Sequence, residues 1–171
     1  SRYESSARKV AKAAMGNMDR IRELMECEPF GPGDADCFRM FIRKTGRLMF
    51  RRQVTDEELS DYLDLAEMAA NQENDAYAGV EWVIIAMLQS PNFLYLAEVG
   101  QDVQDMPDRR LLGGYEIASR MAFFLLDTAP DDELLAAAEA GDLDTREGVR
   151  EAARWLVDSA AARTATRSFF E

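Results

Sequence analysis

The stretch from Leu112 to Leu143 constrains the fold of this chain most, because it contains the longest unbroken apolar helical pattern. Its apolar residues recur at helical spacing and cover most of the circumference: Ile117, Ala118, Met121, Ala122, Phe123, Phe124, Leu125 and Leu126. We therefore predict a helix that is buried on several sides and surrounded by others. Pro130 and the acids that follow it suit the first turn of a second helix, and Gly141 suits a left-handed cap at its end.

The rest of the chain repeats helical signals. Asn17, Asp34, Ser90 and Asp144 are good N-cap residues, and Thr55 with Glu58 forms a capping-box pattern. No segment has the period-two alternation of a strand, and the acidic segment 99–110 reads as an irregular linker. We predict an all-α multi-helix bundle of about seven to nine helices in two abutting halves.

Composition excludes some partners. The 171 residues include 20 basic and 32 acidic side chains, a net charge of −12, so no basic stripe exists to bind a nucleic-acid backbone. The longest uncharged runs, 82–90 and 121–126, are far shorter than the roughly 20 residues of a membrane span. We expect no nucleic-acid partner and no membrane span.

Two cysteines, Cys27 and Cys37, flank a loop rich in proline and glycine. A disulfide here would close a loop of about 11 residues, worth about 3 kcal/mol in the chain-entropy model, and would indicate an oxidising compartment. The alternatives are two buried thiols, or metal ligands, although the spacing does not match a zinc site.

Candidate catalytic groups are few. The chain has no histidine, which excludes Ser/His and Cys/His nucleophiles and a histidine-bound haem within it. Arg51 and Arg52 could contact an anion or a partner near the Thr55 helix, or could form an ion pair with Glu57, Glu58 or Asp61. Glu116 and Arg120 could line a pocket or pair along one helix. The acids at 102, 105 and 108 could bind calcium weakly, but they lack the EF-hand pattern, which favours a solvated loop. We predict no catalytic, cofactor or metal site, and whether the chain belongs to an enzyme stays open.

Several motifs resemble known families. Cys37-Phe38, the run FRRQVTDEE at 50–58 and the run MLQSPNFLY at 87–95 resemble a Planctomycete Surface Domain family of unknown function. The runs YEIASR at 115–120, PDDELL at 130–135 and AGDL at 140–143 resemble the family that normally follows it. Residues 3–10 are similar to the tail of a third domain that usually precedes both.

The resemblance implies a fragment of a large exported bacterial protein, periplasmic or extracellular, in which helical domains accompany c-type cytochrome domains. It implies no established reaction. The haem-attachment motif Cys-x-x-Cys-His is absent from this sequence, so haem c is expected only in other domains. The expected division is a preceding tail (1–26), a first helical domain (27–98), a linker (99–111) and the start of a second helical domain (112–171).

Two functions follow as hypotheses. The first is a scaffold and interaction module that docks other domains or chains of the same exported protein, including a c-type cytochrome, through Phe169, Phe170 and the small-residue face of the first helix around Ala7 and Ala11. The alternative is the non-haem part of an exported oxidoreductase or polymer-degrading enzyme, which a concave pocket lined by Arg51 and Arg52 or by Glu116 and Arg120 would favour.

Overall fold

The structure is a computed structural model that describes residues 2–104 and 106–170. These residues form ten α-helices, one short 3₁₀ turn and one two-stranded hairpin. In chain order the elements are α1 (Arg2–Met15), α2 (Met18–Met25), α3 (Ala35–Phe50), α4 (Asp56–Glu73), α5 (Ala76–Gln89), α6 (Pro91–Leu94), β1 (Gln101–Val103), β2 (Met106–Leu111), α7 (Gly114–Leu126), α8 (Asp132–Glu139), the 3₁₀ turn (Asp142–Asp144), α9 (Arg146–Asp158) and α10 (Ala160–Phe170). The all-α prediction is confirmed, with more helices than expected.

The helix starts follow the predicted caps. The side chain of Asn17 accepts a hydrogen bond from the Arg20 amide, and that of Asp34 accepts one from the Cys37 amide. Thr55 and Glu58 form the predicted capping box at the start of α4. Each cap satisfies backbone N–H groups that have no partner within the helix, so short polar residues decide where these helices begin.

The chain divides into two compact units between Tyr95 and Leu96. The finer division into 1–26, 27–98, 99–111 and 112–171 stays a prediction. Unit 1, which ends at Tyr95, contains α1 to α6 around a core that includes Phe38, Phe41, Val80 and Met87.

Close approach of α4 and α5 shapes unit 1. A Cβ atom added at Gly79 would lie 2.6 Å from the carbonyl oxygen of Ala66, so the glycine lets the two helices come into backbone contact. Two alanines of α4, Ala66 and Ala70, lie at this contact and are fully buried. Helix α1 packs on α5 through the same kind of surface, because Ala7 and Ala11 are buried in the unit 1 core.

Unit 2, which begins at Leu96, contains the hairpin and α7 to α10 around Ala122, Leu134, Leu143 and Leu156. The hairpin occupies the segment expected to be irregular, with Gln101 opposite Leu111 and Asp102 opposite Arg110. Every residue of β2 is exposed. A strand exposed on both faces needs no apolar alternation, which is why the sequence pattern gave no sign of it.

Three local expectations in unit 2 were wrong. Helix α8 begins at Asp132 with Asp131 as its N-cap, so Pro130 lies before the helix rather than in its first turn. Thr145, not Asp144, caps α9. Phe124, expected in the core, is 86% exposed. Four consecutive apolar residues on a helix point in four directions, and the packed neighbours cover only some of them.

Of the helices in the described parts of the chain, none combines the length and the apolar character needed to cross a bilayer.

Candidate functional site

The side chain of Glu58 accepts hydrogen bonds from three residues of unit 1. Arg52 donates to both carboxylate oxygens, from Nη1 at 2.9 Å and from Nη2 at 2.8 Å. Asn92 Nδ2 donates at 2.8 Å and the Thr55 amide at 2.9 Å. Hydrogen bonding to Arg52 lowers the pKa of Glu58 despite partial burial, and the same contact raises the pKa of Arg52. This ion pair is one of the alternatives that the sequence allowed for Arg52.

Arg51 lies beside this pair and binds main-chain oxygens. It occupies the left-handed C-cap position of α3, with φ of 58°, and is only 8% exposed. Its guanidinium donates to the carbonyls of Met49 at 3.0 Å, Asn92 at 2.7 Å and Tyr95 at 3.0 Å. Burial, and then the charge of Arg52, lowers the pKa of Arg51.

Together these contacts form a polar knot, which we define as Arg51, Arg52, Thr55, Glu58 and Asn92. The knot joins the end of α3 to the start of α4 and to α6. Both guanidiniums donate hydrogen bonds to protein oxygens. In this arrangement the two arginines stabilise the contacts between elements of unit 1. An anion or partner contact at Arg51 and Arg52 stays a prediction.

The two cysteines are joined. A disulfide links Cys27 to Cys37 with their Cα atoms 5.8 Å apart, as favoured from the sequence. Inside the loop that it closes, Asp34 accepts hydrogen bonds from the amides of Phe30 and Cys37, at 3.2 and 3.1 Å. The loop is therefore held by one covalent bond and one buried carboxylate.

Glu116 and Arg120 do not pair with each other as expected for neighbouring turns. Glu116 accepts hydrogen bonds from the amides of Val99, Gly100 and Gly113, at 2.7, 3.0 and 2.8 Å. Arg120 instead forms an ion pair with Glu98. Both side chains thus connect the base of the hairpin to α7. The sequence had allowed the alternative that Glu116 and Arg120 line a pocket.

For the acids at 102, 105 and 108 the sequence favoured a solvated loop over weak calcium binding, and the structure places Asp102 in β1 and Asp108 in β2. Asp105 lies outside the described residues, and Asp102 pairs with Arg110 at 2.8 Å. Within the described parts of the chain, no group of three or more His, Cys, Asp or Glu side chains is placed to hold a metal ion.

Unit 2 carries a group of solvent-exposed phenyl rings on α7 and α10. We call Phe123, Phe124, Phe169 and Phe170 the aromatic face. Phe124, Phe169 and Phe170 are 86%, 84% and 81% exposed, and Phe123 is 40% exposed. The last two rings of the chain meet edge to face with their centroids 5.2 Å apart. Isolated exposed apolar residues are ordinary, whereas contiguous exposed apolar patches are typical of interaction surfaces.

A groove of about 740 Å³ runs along the aromatic face between α7 and α10. Its lining is mostly apolar, with one acidic residue: Phe123, Phe124, Leu125, Asp127, Ala165, Thr166, Ser168 and Phe169. A smaller groove of about 260 Å³ shares Leu125 and Thr166 with it and is also lined by Val157, Ala162 and Arg163. We call these two adjoining grooves together the trough; its lining is mostly apolar and includes one acidic side chain, Asp127, and one basic side chain, Arg163.

The sequence predicted Phe169 and Phe170 as an interaction surface but missed Phe123 and Phe124. The signal that could have found them is the uninterrupted run 121–126, because consecutive apolar residues on a helix cannot all face one core. The small-residue face of α1 was predicted as a second docking surface. Ala7 and Ala11 are instead buried within the core of unit 1, so this face is covered by the chain itself. That part of the docking hypothesis was wrong.

Comparison with known proteins gives two family matches but no activity. No curated protein and no solved structure matches the chain. Residues 37–98 match the family PSD5, a protein of unknown function (DUF1595), and residues 112–171 match PSD4, also a protein of unknown function (DUF1592). The predicted resemblance to two consecutive Planctomycete Surface Domain families is thereby confirmed. The two matched segments together cover most of the chain, and each is similar to a family of unknown function.

Proposed function

We propose that this chain is a helical scaffold and interaction module of an exported, cytochrome-c-associated bacterial protein. Its aromatic face docks another domain or chain of that same protein. The observation that carries the proposal is the exposure of Phe124, Phe169 and Phe170, each above 80%, beside an apolar groove. Rigid aromatic side chains lose little conformational entropy when a partner covers them, so they are efficient anchors of protein interfaces.

The area of the aromatic face supports a docking role. A phenyl ring buries about 150–250 Å² when it is fully covered, so three rings with 81–86% exposure offer roughly 380–630 Å² to a partner. Phe123, at 40% exposure, adds about 60–100 Å². Contiguous apolar patches on monomeric proteins are typically at most about 300–600 Å² and are often functional.

The disulfide supports the exported location. Cytosolic reductants keep most intracellular thiols reduced, whereas bonds such as Cys27–Cys37 form and persist in the periplasm and outside the cell. Association with a c-type cytochrome rests on the family resemblance. A cytochrome partner would bring its own haem, because this sequence contains no histidine for the attachment motif.

The structure gives no support to the alternative that this chain is part of an enzyme. It required Arg51 with Arg52, or Glu116 with Arg120, to line a pocket. In the structure these four side chains bind protein carbonyls, carboxylates and amides. We therefore do not propose a reaction for this chain.

Photo-cross-linking tests the docking role in the exported protein. A benzophenone amino acid replaces Phe124, and in a matched control it replaces Phe30, which is equally exposed at 85% but belongs to unit 1. We expect position 124 to yield cross-links to a segment of the same exported protein, in one chain or between chains, identified by mass spectrometry. Equal or negligible yields at the two positions would contradict the docking role.

Thiol alkylation tests the location. Cys27 and Cys37 of the protein isolated from cells should react only after reduction. Immediate alkylation of both thiols would contradict export.

A further inference from the structure

We infer that the partner of the aromatic face is a second copy of this chain, related to the first by a twofold axis. This inference rests on the proposed docking role of the aromatic face and names its occupant. It is drawn from three properties of unit 2: the shape of the face, its area and the signs of its charges.

The shape of the face is complementary to itself. Phe170 is 81% exposed and does not line the larger groove, whereas the neighbouring Phe169 does line it. One surface thus presents both a projecting ring and an apolar groove. A twofold interface requires this combination, because the same patch must supply both partners of each contact. Phe170 of each copy then enters the groove of the other, against Phe124 and Leu125.

The exposed area is close to what a dimer needs. The four rings of the aromatic face, with exposures of 81–86% for three and 40% for the fourth, offer roughly 440–730 Å² per copy. Specific interfaces bury about 600–1,000 Å² per partner, so the four rings supply much of that area. Val157, which is 54% exposed and lines the adjoining smaller groove, extends the apolar area further.

The charges around the trough also permit self-pairing. Asp127 lines the larger groove and Arg163 lines the smaller one. A twofold axis brings surfaces with both signs together, so that Asp127 of one copy and Arg163 of the other can approach. The chain as a whole nevertheless carries a net charge of −12, so two copies repel each other at long range.

These opposing effects give the dimer a specific salt dependence. Its contacts are mainly apolar, and its main opposing force is repulsion between net negative copies. Raising the salt concentration shortens the Debye length from about 30 Å at 0.01 M to about 10 Å at 0.1 M. Salt should therefore tighten the dimer, whereas an interface held by ion pairs would weaken.

Sedimentation equilibrium of the 171-residue chain tests the inference. Between about 1 and 100 µM, we expect a mass rising from 19.3 kDa toward twice that value, with tighter association at higher salt. Phe124→Ser and Phe170→Ser should each weaken dimerisation about 30-fold or more, as for central aromatic anchors. Phe30→Ser, an equally exposed control in unit 1, should leave it unchanged.

A monomer throughout this range would overturn the inference, as would a dimer that Phe124→Ser and Phe170→Ser leave intact. Because both rings are largely exposed, these variants should keep the helical circular dichroism of the parent chain. The two proposals fail separately. A monomeric chain whose position 124 still cross-links to another segment of the exported protein would leave the docking role in place with a different occupant. If the chain is monomeric and position 124 gives no such cross-link, both the dimer and the docking role are overturned.

Discussion

Removing the Glu58 carboxylate tests the polar knot of unit 1 most directly. Glu58→Ala deletes two hydrogen bonds from Arg52, one from Asn92 and one from the Thr55 amide. The Arg52 and Glu58 side chains are only 32% and 21% exposed, so solvent screens their interaction only in part. A partly covered charged pair contributes about 1.5–2 kcal/mol and a capping interaction about 1 kcal/mol. We expect the free energy of unfolding of unit 1 to fall by about 3 kcal/mol.

Glu58→Gln separates the charge from the cap. Glutamine can still accept the N-cap amide hydrogen bond, but it loses the charge and one of the two contacts with Arg52. We expect a loss of about 1.5 kcal/mol, roughly half that of Glu58→Ala. Glu57→Ala is the matched control, because Glu57 is exposed in the same first turn of α4 and should cost at most about 1 kcal/mol through the helix dipole.

Urea unfolding followed by tryptophan fluorescence measures these losses. Trp82 lies in α5 of unit 1 and Trp155 in α9 of unit 2, so a Trp155→Phe background restricts the signal to unit 1. With a slope of about 1–3 kcal/mol per molar urea, Glu58→Ala should lower the midpoint by about 1–3 M. A double-mutant cycle with Arg52→Met should give a coupling of about 1 kcal/mol or more. The reasoning is refuted if Glu58→Ala costs no more than Glu57→Ala, or if the coupling is below about 0.5 kcal/mol.

Three further perturbations follow from single contacts. Replacing Cys27 and Cys37 by serine should lower the stability of unit 1 by about 3 kcal/mol, measured by the same urea assay. Burial alone would raise the pKa of Glu116, but hydrogen bonds from backbone N–H groups, among them that of Gly100, outweigh it and lower the pKa. The stability that Glu116 contributes is therefore fully present above the unfolded pKa of about 4.3, and it is lost as the pH falls through the lower pKa of the folded state. Hydrogen exchange at the Gly100 amide should therefore lose protection on acidification, and Glu116→Gln should reduce it at neutral pH. Gly79→Ala should cost about 1–3 kcal/mol in the urea assay, because the added methyl meets a backbone carbonyl.

Each of these predictions has its own control. Wild-type protein treated with reductant should unfold at the same midpoint as the serine variant, and an unchanged midpoint on reduction would contradict the disulfide prediction. Amides inside α7 should keep their protection when the Gly100 amide loses it, since a general loss would indicate global unfolding instead. Gly33→Ala should cost little, because no atom lies within 4 Å of the added methyl group. A cost equal to that of Gly79→Ala would refute the steric reasoning.

Most predictions made from local sequence patterns, such as helix caps, are confirmed by the structure. Asp34, Thr55 and Ser90 cap their helices as predicted, because each cap depends on residues within three positions of itself. The cysteine spacing likewise predicted a bond between two residues ten positions apart. Family motifs, which are also local patterns, identified both matching families.

Short-range patterns were enough to predict the helical class, most helix starts, the disulfide and the two family resemblances, because all of these depend on periodicity, capping and motifs. What each helix face contacts, by contrast, depends on packing between elements that are distant in sequence. Phe124 and Ala122 belong to the same helical pattern, yet Phe124 is exposed and Ala122 is buried. Glu116 accepts hydrogen bonds from three backbone amides and does not pair with Arg120. These outcomes depend on which distant elements pack against α7. Periodicity shows that a helix has an apolar side, but only packing shows how much of that side its neighbours cover.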